Sequence, residues 1–162
     1  MMNWVIRSVS ADDTQRLGEF LGALIEPPEI IELCSDLGGG KTTFVKGLTR
    51  GVGSKDIVSS PTFTLNKIYK GRNVEIHHFD FYRLKTPGVV SDQLQESLHN
   101  PSVVTVVEWS DIVKNVLPQQ RLIIEFKAVA ENEEERIVTF KFPESKIPLI
   151  EALRTRLEKV EP

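Results

Sequence analysis

A glycine-rich segment between an apolar run and a helical pattern constrains this chain more than any other feature. The run Ile30–Cys34 has the length of a buried strand, and Ser35–Thr43 follows it directly with three consecutive glycines and then Lys41. Strand, glycine-rich loop and helix is the order in which backbone N–H groups and the positive end of a helix dipole converge on phosphate oxygens. The segment is therefore predicted to bind a ligand that carries phosphate groups.

The residue types of this segment match the requirements of a nucleotide with its metal ion. In the pattern G-x-x-x-x-G-K-[ST], Lys41 reaches the β- and γ-phosphates and the Thr42 hydroxyl binds Mg²⁺. Ser35 stands where the pattern has its first glycine, and serine is small enough for the turn to survive. The predicted nucleotide contacts in this segment are Asp36, Leu37, Gly38, Gly39, Gly40, Lys41, Thr42 and Thr43.

Two carboxylates are candidates for the metal side of this site. Glu108 follows the apolar run Val103–Val107, and Asp80 follows a run that ends at Phe79. Ligands bind at the carboxyl ends of strands in α/β sheets, and Mg²⁺ prefers oxygen ligands. Either acid is alternatively an ordinary exposed residue at a strand end, and which of the two ligates Mg²⁺ directly stays open.

Four further residues have a functional and a structural interpretation. Thr62 lies in a proline-containing loop, where it is either a switch residue that senses the γ-phosphate or its metal, or part of a simple turn. His77 and His78 are adjacent on a predicted strand and face opposite ways, so we interpret both as structural rather than as a metal pair. Trp109 is either a nucleotide or partner contact, or packing.

The apolar spacing predicts strands and helices that interleave along the chain. Strands are predicted over residues 3–9, 30–34, 64–70, 74–79, 102–107, 121–129 and 136–142, with an acidic turn at 131–135. Helices are predicted from Ser10 to Pro27, from Thr42 to Gly51, and over 92–98, 111–117 and 147–160. This order predicts one domain over residues 1–162, a three-layer α/β fold of the P-loop NTPase type with a mixed central sheet flanked by helices.

The bulk properties bear on partners and compartment. A formal net charge of −3 and a pI near 5.7 give no reason to expect unaided binding to DNA or RNA. The lone Cys34 cannot form an intramolecular disulfide, and no stretch approaches the ~20 apolar residues of a membrane span. We therefore expect a cytoplasmic protein that contacts neither membrane nor DNA.

Four ordered blocks of the chain resemble the TsaE (YjeE-type) family: Ser35–Phe44, Ser60–Leu65, His78–Leu84 and Val107–Trp109. The resemblance implies a bacterial ATPase that uses ATP/ADP and Mg²⁺. It implies that this ATPase works with the TsaD and TsaB proteins to make the threonylcarbamoyl modification of adenosine 37 in tRNAs that read codons starting with A. In this scheme tRNA is reached only through the partner complex.

The resemblance also assigns roles to individual residues. Lys41 and Thr42 match the family's phosphate and Mg²⁺ positions, Glu108 its Mg²⁺ ligand, and Asp80 and Thr62 the rest of its active site. Thr14, in the first helix, and Arg136, late in the chain, match further nucleotide contacts. Ser35 and Gly39 depart from the family, which usually has Gly at the first position and Ala at the second.

Two other functions use the same loop. A small-molecule P-loop kinase needs an acceptor pocket and commonly an arginine-rich lid, whereas the arginines here are scattered along the chain. A nucleotide-gated binding module hydrolyses ATP negligibly, and its bound state selects a partner surface. The module differs from the ATPase in kinetics and not in motif, so both remain hypotheses beside the leading one.

Overall fold

The computed structural model describes residues 1–36, 38–59, 61, 66–86 and 88–160. Within these residues seven strands form one sheet, and four α-helices pack against it. The strands are β1 (Met2–Ser8), β2 (Glu29–Cys34), β3 (Asn66–Lys70), β4 (Glu75–Asp80), β5 (Val103–Glu108), β6 (Leu122–Val129) and β7 (Asn132–Phe142). The helices are α1 (Ala11–Leu24), α2 (Lys41–Gly51), α3 (Gly88–Leu98) and α4 (Ile147–Glu158).

The sheet is mixed, which confirms the predicted α/β architecture. Its strand order is β1-β7-β6-β2-β5-β4-β3, and the four central strands, β6, β2, β5 and β4, run parallel. β3 and the pair β7 and β1 extend the two edges with antiparallel pairings. The carboxyl ends of the four parallel strands therefore lie at the same end of the sheet, where the segment after β2 begins.

Apolar side chains cover the two faces of the sheet unequally. The larger cluster joins α1, α2 and α4 to one face and includes Leu21, Phe44 and Leu153. The smaller cluster packs α3 and a 3₁₀ turn against β4 and β5 through Phe79 and Leu94. The sheet therefore lies between two unequal helical layers. Of the helices in the described residues, none is long and apolar enough to cross a membrane.

The backbones of α1 and α2 touch directly. A Cβ atom at Gly18 would lie 2.2 Å from the carbonyl oxygen of Phe44, and one at Gly47 only 1.8 Å from that of Gln15. Equivalent distances of 2.2–2.3 Å hold at the next turn of each helix. Any side chain at these positions would push the helices apart. The four contact residues are Gly18, Gly22, Gly47 and Gly51.

Three predicted element boundaries are wrong. The predicted acidic turn over 131–135 is shorter than expected: of these residues only Glu131 lies in the turn, because β7 already begins at Asn132 and Glu135 forms an ion pair with Arg7 on β1 at 2.6 Å. The predicted helix over 111–117 is only a 3₁₀ turn, Ser110–Val113, since a segment that short before a proline cannot sustain α-helix. α3 begins at Gly88 rather than at residue 92 because buried Val90 extends its apolar face.

Candidate nucleotide-binding site

The segment between β2 and α2 presents the amino-terminal end of α2 without a side-chain cap. Gly40 is the N-cap residue at φ 100°, and Gly38 also has a positive φ of 73°, conformations that favour glycine. The first helical bond of α2 runs from Phe44 N–H to the Gly40 carbonyl. At α1, by contrast, Ser10 Oγ accepts a bond from Asp13 N–H. The first-turn N–H groups of α2 thus have no side-chain cap and are suited to an anion.

Ser35 and Gly39, the two departures from the family pattern, contact each other. A Cβ atom at position 39 would lie 2.3 Å from Ser35 Oγ and 2.5 Å from Ser35 Cβ. The serine side chain therefore occupies the space that an alanine at position 39 would need. With Ser35 in this position, glycine at 39 avoids the overlap that an alanine there would make, so we expect the two departures to compensate for one another.

Lys41, the first residue of α2, folds back over the loop. Its side chain is only 6% exposed, and Nζ donates to Ser35 Oγ at 2.8 Å and to the Ser35 carbonyl at 3.2 Å. The ammonium also lies 4.6 Å from the centroid of the Trp109 ring, within the range of a cation–π contact. Burial lowers the pKa of Lys41, and the carboxylates of Glu108 and Asp80 oppose this shift. Trp109 thus contacts the key cation of the loop.

The two candidate carboxylates lie side by side. Asp80 ends β4 and Glu108 ends β5, and the parallel pairing places them opposite each other. Each is only 2% exposed, so the interpretation as exposed strand-end acids is wrong. Asp80 Oδ1 accepts a bond from Tyr82 N–H at 2.9 Å. Among the described residues no three His, Cys, Asp or Glu side chains form a metal-binding group, and the charges of both acids act on Lys41.

Thr14 and Arg136 lie on the opposite side of the loop. Arg136 donates from Nε to the Gly39 carbonyl at 3.0 Å and from Nη2 to the Gly38 carbonyl at 3.2 Å. Thr14 is buried, and its hydroxyl lies 2.7 Å from Ser8 Oγ. Both line a cleft of about 120 Å³ beside the loop. The residues lining this cleft are Ala11, Thr14, Gly40, Thr43, Glu133, Glu134 and Arg136.

The remaining predicted contacts divide between described and undescribed positions. Thr42 and Thr43 are half-buried in the first turn of α2. The Asp36 carbonyl accepts a bond from Gly39 N–H at 3.1 Å, which closes a turn within the loop. Leu37 and Thr62 lie outside the described residues. The structure thus gathers the described candidates around one end of the parallel strands.

Sequence reasoning missed one residue of this neighbourhood. His78 was interpreted as structural, yet its Nε2 lies 2.9 Å from Glu108 Oε1. The opposite facing of the two histidines is as expected, because His77 instead contacts Glu75 at 3.1 Å. A signal was present in the strand period, since His78 lies two residues before Asp80 and therefore shares its face of the sheet.

Comparison with known proteins gives a consistent set of relatives. A family model described as "Threonylcarbamoyl adenosine biosynthesis protein TsaE" matches residues 8–138. A tRNA threonylcarbamoyladenosine biosynthesis protein TsaE from Bacillus subtilis is 37% identical over 134 residues, which is 83% of this chain and 82% of the relative. The protein of the same name from Treponema pallidum is 38% identical over 129 residues, with 79% and 94% covered. The crystal structure of Bacillus subtilis YdiB matches with a TM-score of 0.80 at 32% identity, covering 96% of both chains.

Proposed function

Because this chain belongs to the TsaE family and is thereby an accessory protein of tRNA threonylcarbamoyladenosine biosynthesis, we propose that it is a Mg²⁺-dependent ATPase. In this proposal it works with TsaD and TsaB, and tRNA is bound by that partner complex. ATP hydrolysis supplies a nucleotide-driven step, while the partners carry the modification chemistry. The acidic net charge of −3 agrees with tRNA being held elsewhere.

One observation carries the proposal, the placement of Lys41 between the loop and two buried carboxylates. The ammonium lies at the start of α2, and the charges of Glu108 and Asp80 are felt there strongly enough to oppose the effect of burial on its pKa. A lysine beside uncapped helix N–H groups matches the phosphates of a nucleotide, and carboxylates beside it match a hard divalent cation. Buried charges cost free energy unless they are paired or bind ligands, so an ammonium and two carboxylates buried near each other are suited to a charged ligand such as MgATP.

The donor set also fits Mg²⁺ and ATP chemically. Thr42 contributes a hydroxyl oxygen, and Glu108 and Asp80 contribute carboxylate oxygens, which are the ligand types that Mg²⁺ prefers. When bound, the ion supplies positive charge that neutralises the phosphate oxygens. Positive φ at Gly38 and Gly40 turns the backbone of the loop toward the start of α2, as the phosphate cradle requires.

The residues of the chain then divide the remaining tasks. Lys41 and the first-turn N–H groups of α2 stabilise negative charge on the transferred phosphoryl group. Thr42 and Glu108 hold the metal, and Asp80 orients the attacking water, a role for which Thr62 is the other candidate. Thr14 and Arg136 bind the nucleotide on the far side of the loop, where they line the same cleft.

A nucleotide-gated module is the second candidate, and the contacts of Arg136 favour it. The guanidinium donates to the Gly38 and Gly39 carbonyls, so it stabilises the loop rather than standing free to neutralise charge in a transition state. P-loop proteins without such an arginine hydrolyse slowly until a partner supplies one. Slow hydrolysis alone and fast hydrolysis in the partner complex would satisfy both descriptions.

Steady-state ATP hydrolysis by the protein alone, and then with purified TsaD and TsaB, tests the proposal. We expect hydrolysis that the partners stimulate, and Lys41→Ala should reduce it to background. Lys46→Ala is the matched control, since Lys46 is an exposed lysine of the same helix and should leave the rate unchanged. Hydrolysis that survives in the Lys41 variant refutes the ATPase assignment. Tight MgATP binding with no hydrolysis in either setting supports the gated module instead.

A further inference from the structure

A fully buried hydrogen bond joins two residues of neighbouring strands beside the proposed site. His78 on β4 is 0% exposed and Glu108 on β5 is 2% exposed, and His78 Nε2 lies 2.9 Å from Glu108 Oε1. In the strand register His78 pairs with Val106, so the imidazole reaches diagonally toward the end of β5. The bond therefore lies at the carboxyl end of the parallel strands, where the predicted nucleotide and metal contacts lie.

The imidazole of His78 forms its one side-chain hydrogen bond within the described residues with Glu108. A carboxylate that binds Mg²⁺ accepts hydrogen bonds and cannot donate them, so in the proposed site Nε2 is the donor and Oε1 the acceptor. The other ring nitrogen, Nδ1, is buried and has no hydrogen-bond partner among the described residues. The Tyr69 ring packs beside the imidazole at 6.1 Å between centroids, which restricts its rotation. Within the described part of the chain, Glu108 is thus the single polar group that His78 contacts.

We propose that His78 is a positioning residue that holds the carboxylate of Glu108 in the orientation needed for Mg²⁺. Its bond to Oε1 fixes the side-chain torsions of Glu108 and leaves Oε2 for the site. It also keeps the Glu108 carboxylate from pairing with the Lys41 ammonium, so that Lys41 stays available for the phosphates of the nucleotide. Side chains that orient a metal ligand in this way commonly change metal affinity by about 10–100-fold when they are replaced.

This inference rests on the proposed function, because it takes Glu108 as a metal ligand. It adds a residue whose imidazole does not touch the nucleotide and acts through Glu108. The chain offers a matched control in His77, the next residue of β4. His77 lies on the opposite face of the sheet and contacts Glu75, so replacing it removes an imidazole from the same strand without touching Glu108.

The test is the Mg²⁺ concentration that gives half-maximal ADP binding, measured by titration calorimetry. His78→Leu keeps most of the side-chain volume and removes the donor, and we expect this concentration to rise about 10–100-fold. His78→Gln, which retains an N–H donor, should recover part of the loss, and His77→Leu should match wild type. ADP affinity in EDTA should be the same in all four proteins, since the effect runs through the metal ligand.

Several results would overturn the positioning role. A His78→Leu variant with a Mg²⁺ requirement within about twofold of His77→Leu shows that Glu108 needs no such support. An equal loss of ADP affinity in EDTA shows a general structural defect instead. A wild-type protein whose ADP binding ignores Mg²⁺ refutes the proposed function itself, and that outcome is visible before any variant is compared.

A measurement on the wild-type protein keeps the inference testable if the leucine variant does not fold. The Nε2–H signal of His78 should be visible by NMR, because burial and the hydrogen bond slow its exchange with water. We expect this signal to shift when Mg²⁺ is added to the ADP complex, since its acceptor then also binds the metal. A signal that stays in place through this addition contradicts the role of His78.

Discussion

Replacing Gly39 by alanine should damage the loop through one specific contact. The new methyl group would lie 2.3 Å from Ser35 Oγ, 2.5 Å from Ser35 Cβ and 2.9 Å from the Asp36 carbonyl oxygen. Rotation of the serine hydroxyl cannot relieve this overlap, because Ser35 Cβ and a backbone oxygen are also too close. Lys41 Nζ in addition holds Ser35 Oγ at 2.8 Å. The loop backbone must therefore move.

The size of the effect follows from the overlap. Ordinary contact for a Cβ atom begins near 3.4 Å, so position 39 is about 1 Å short of the space it needs. Forcing an extra methyl group into a packed site costs about 1–3 kcal/mol. If the cost falls on the loop conformation that binds phosphate, ADP affinity drops by about 5–150-fold. Ser35→Gly should remove the two contacts with the serine side chain and leave only the 2.9 Å approach to the Asp36 carbonyl oxygen, so Gly39→Ala should cost much less ADP affinity in the Ser35→Gly background than in wild type.

Titration calorimetry of ADP with Mg²⁺ on wild type, both single variants and the double variant measures this coupling directly. We expect a coupling free energy of about 1–3 kcal/mol between positions 35 and 39. Thermal unfolding of the same four proteins serves as the control for global damage. A Gly39→Ala protein that binds ADP within about twofold of wild type, or penalties that simply add in the double variant, would refute the compensation.

Two other predictions concern the helices and the thiol. Gly47→Ala should lower Tm by about 4 °C or more, because the 1.8 Å approach to the Gln15 carbonyl outweighs the gain in helix propensity. Ala152→Gly, at an exposed position of α4, measures the effect of helix propensity alone. A higher Tm in the Gly47→Ala protein would contradict the backbone contact. Burial, and next the Glu32 carboxylate, raise the pKa of Cys34 to about 11, so its thiolate is scarce at neutral pH. The rate of alkylation by iodoacetamide should therefore rise about tenfold per pH unit up to pH 10, and a plateau near pH 8 would be the contrary result.

Local signals in the sequence predicted most of the fold and the centre of the site. Ser10 and Asp13 predicted the start of α1 because a cap depends on residues within one turn, and Ser10 Oγ does accept the Asp13 N–H bond. The loop before Lys41 was equally local, since glycines and a lysine at fixed spacing fix its shape. Strand ends placed Asp80 and Glu108 at the same edge because parallel strands share their carboxyl ends.

Contacts between residues that lie far apart in the chain could not be predicted from local patterns. His78 and Glu108 lie 30 residues apart in the chain, and their contact requires the register of β4 on β5, which spacing alone does not give. The approach of α1 to α2 was missed although Gly18 and Gly22, like Gly47 and Gly51, recur at four-residue spacing. Such spacing predicts a contact only when the two helices are known to cross there.

The backbone contact between α1 and α2 has a consequence for the loop that precedes α2. Where side chains separate two packed helices, their torsions can adjust when one helix slides past the other. Gly47 and its three partners have no side chains, so no side-chain torsion can adjust at these four positions. We therefore expect a displacement of α1 to be passed to α2 and to Gly40, its N-cap residue. The loop that we propose to bind phosphate is thus supported by α1 as well as by α2, the helix that follows it.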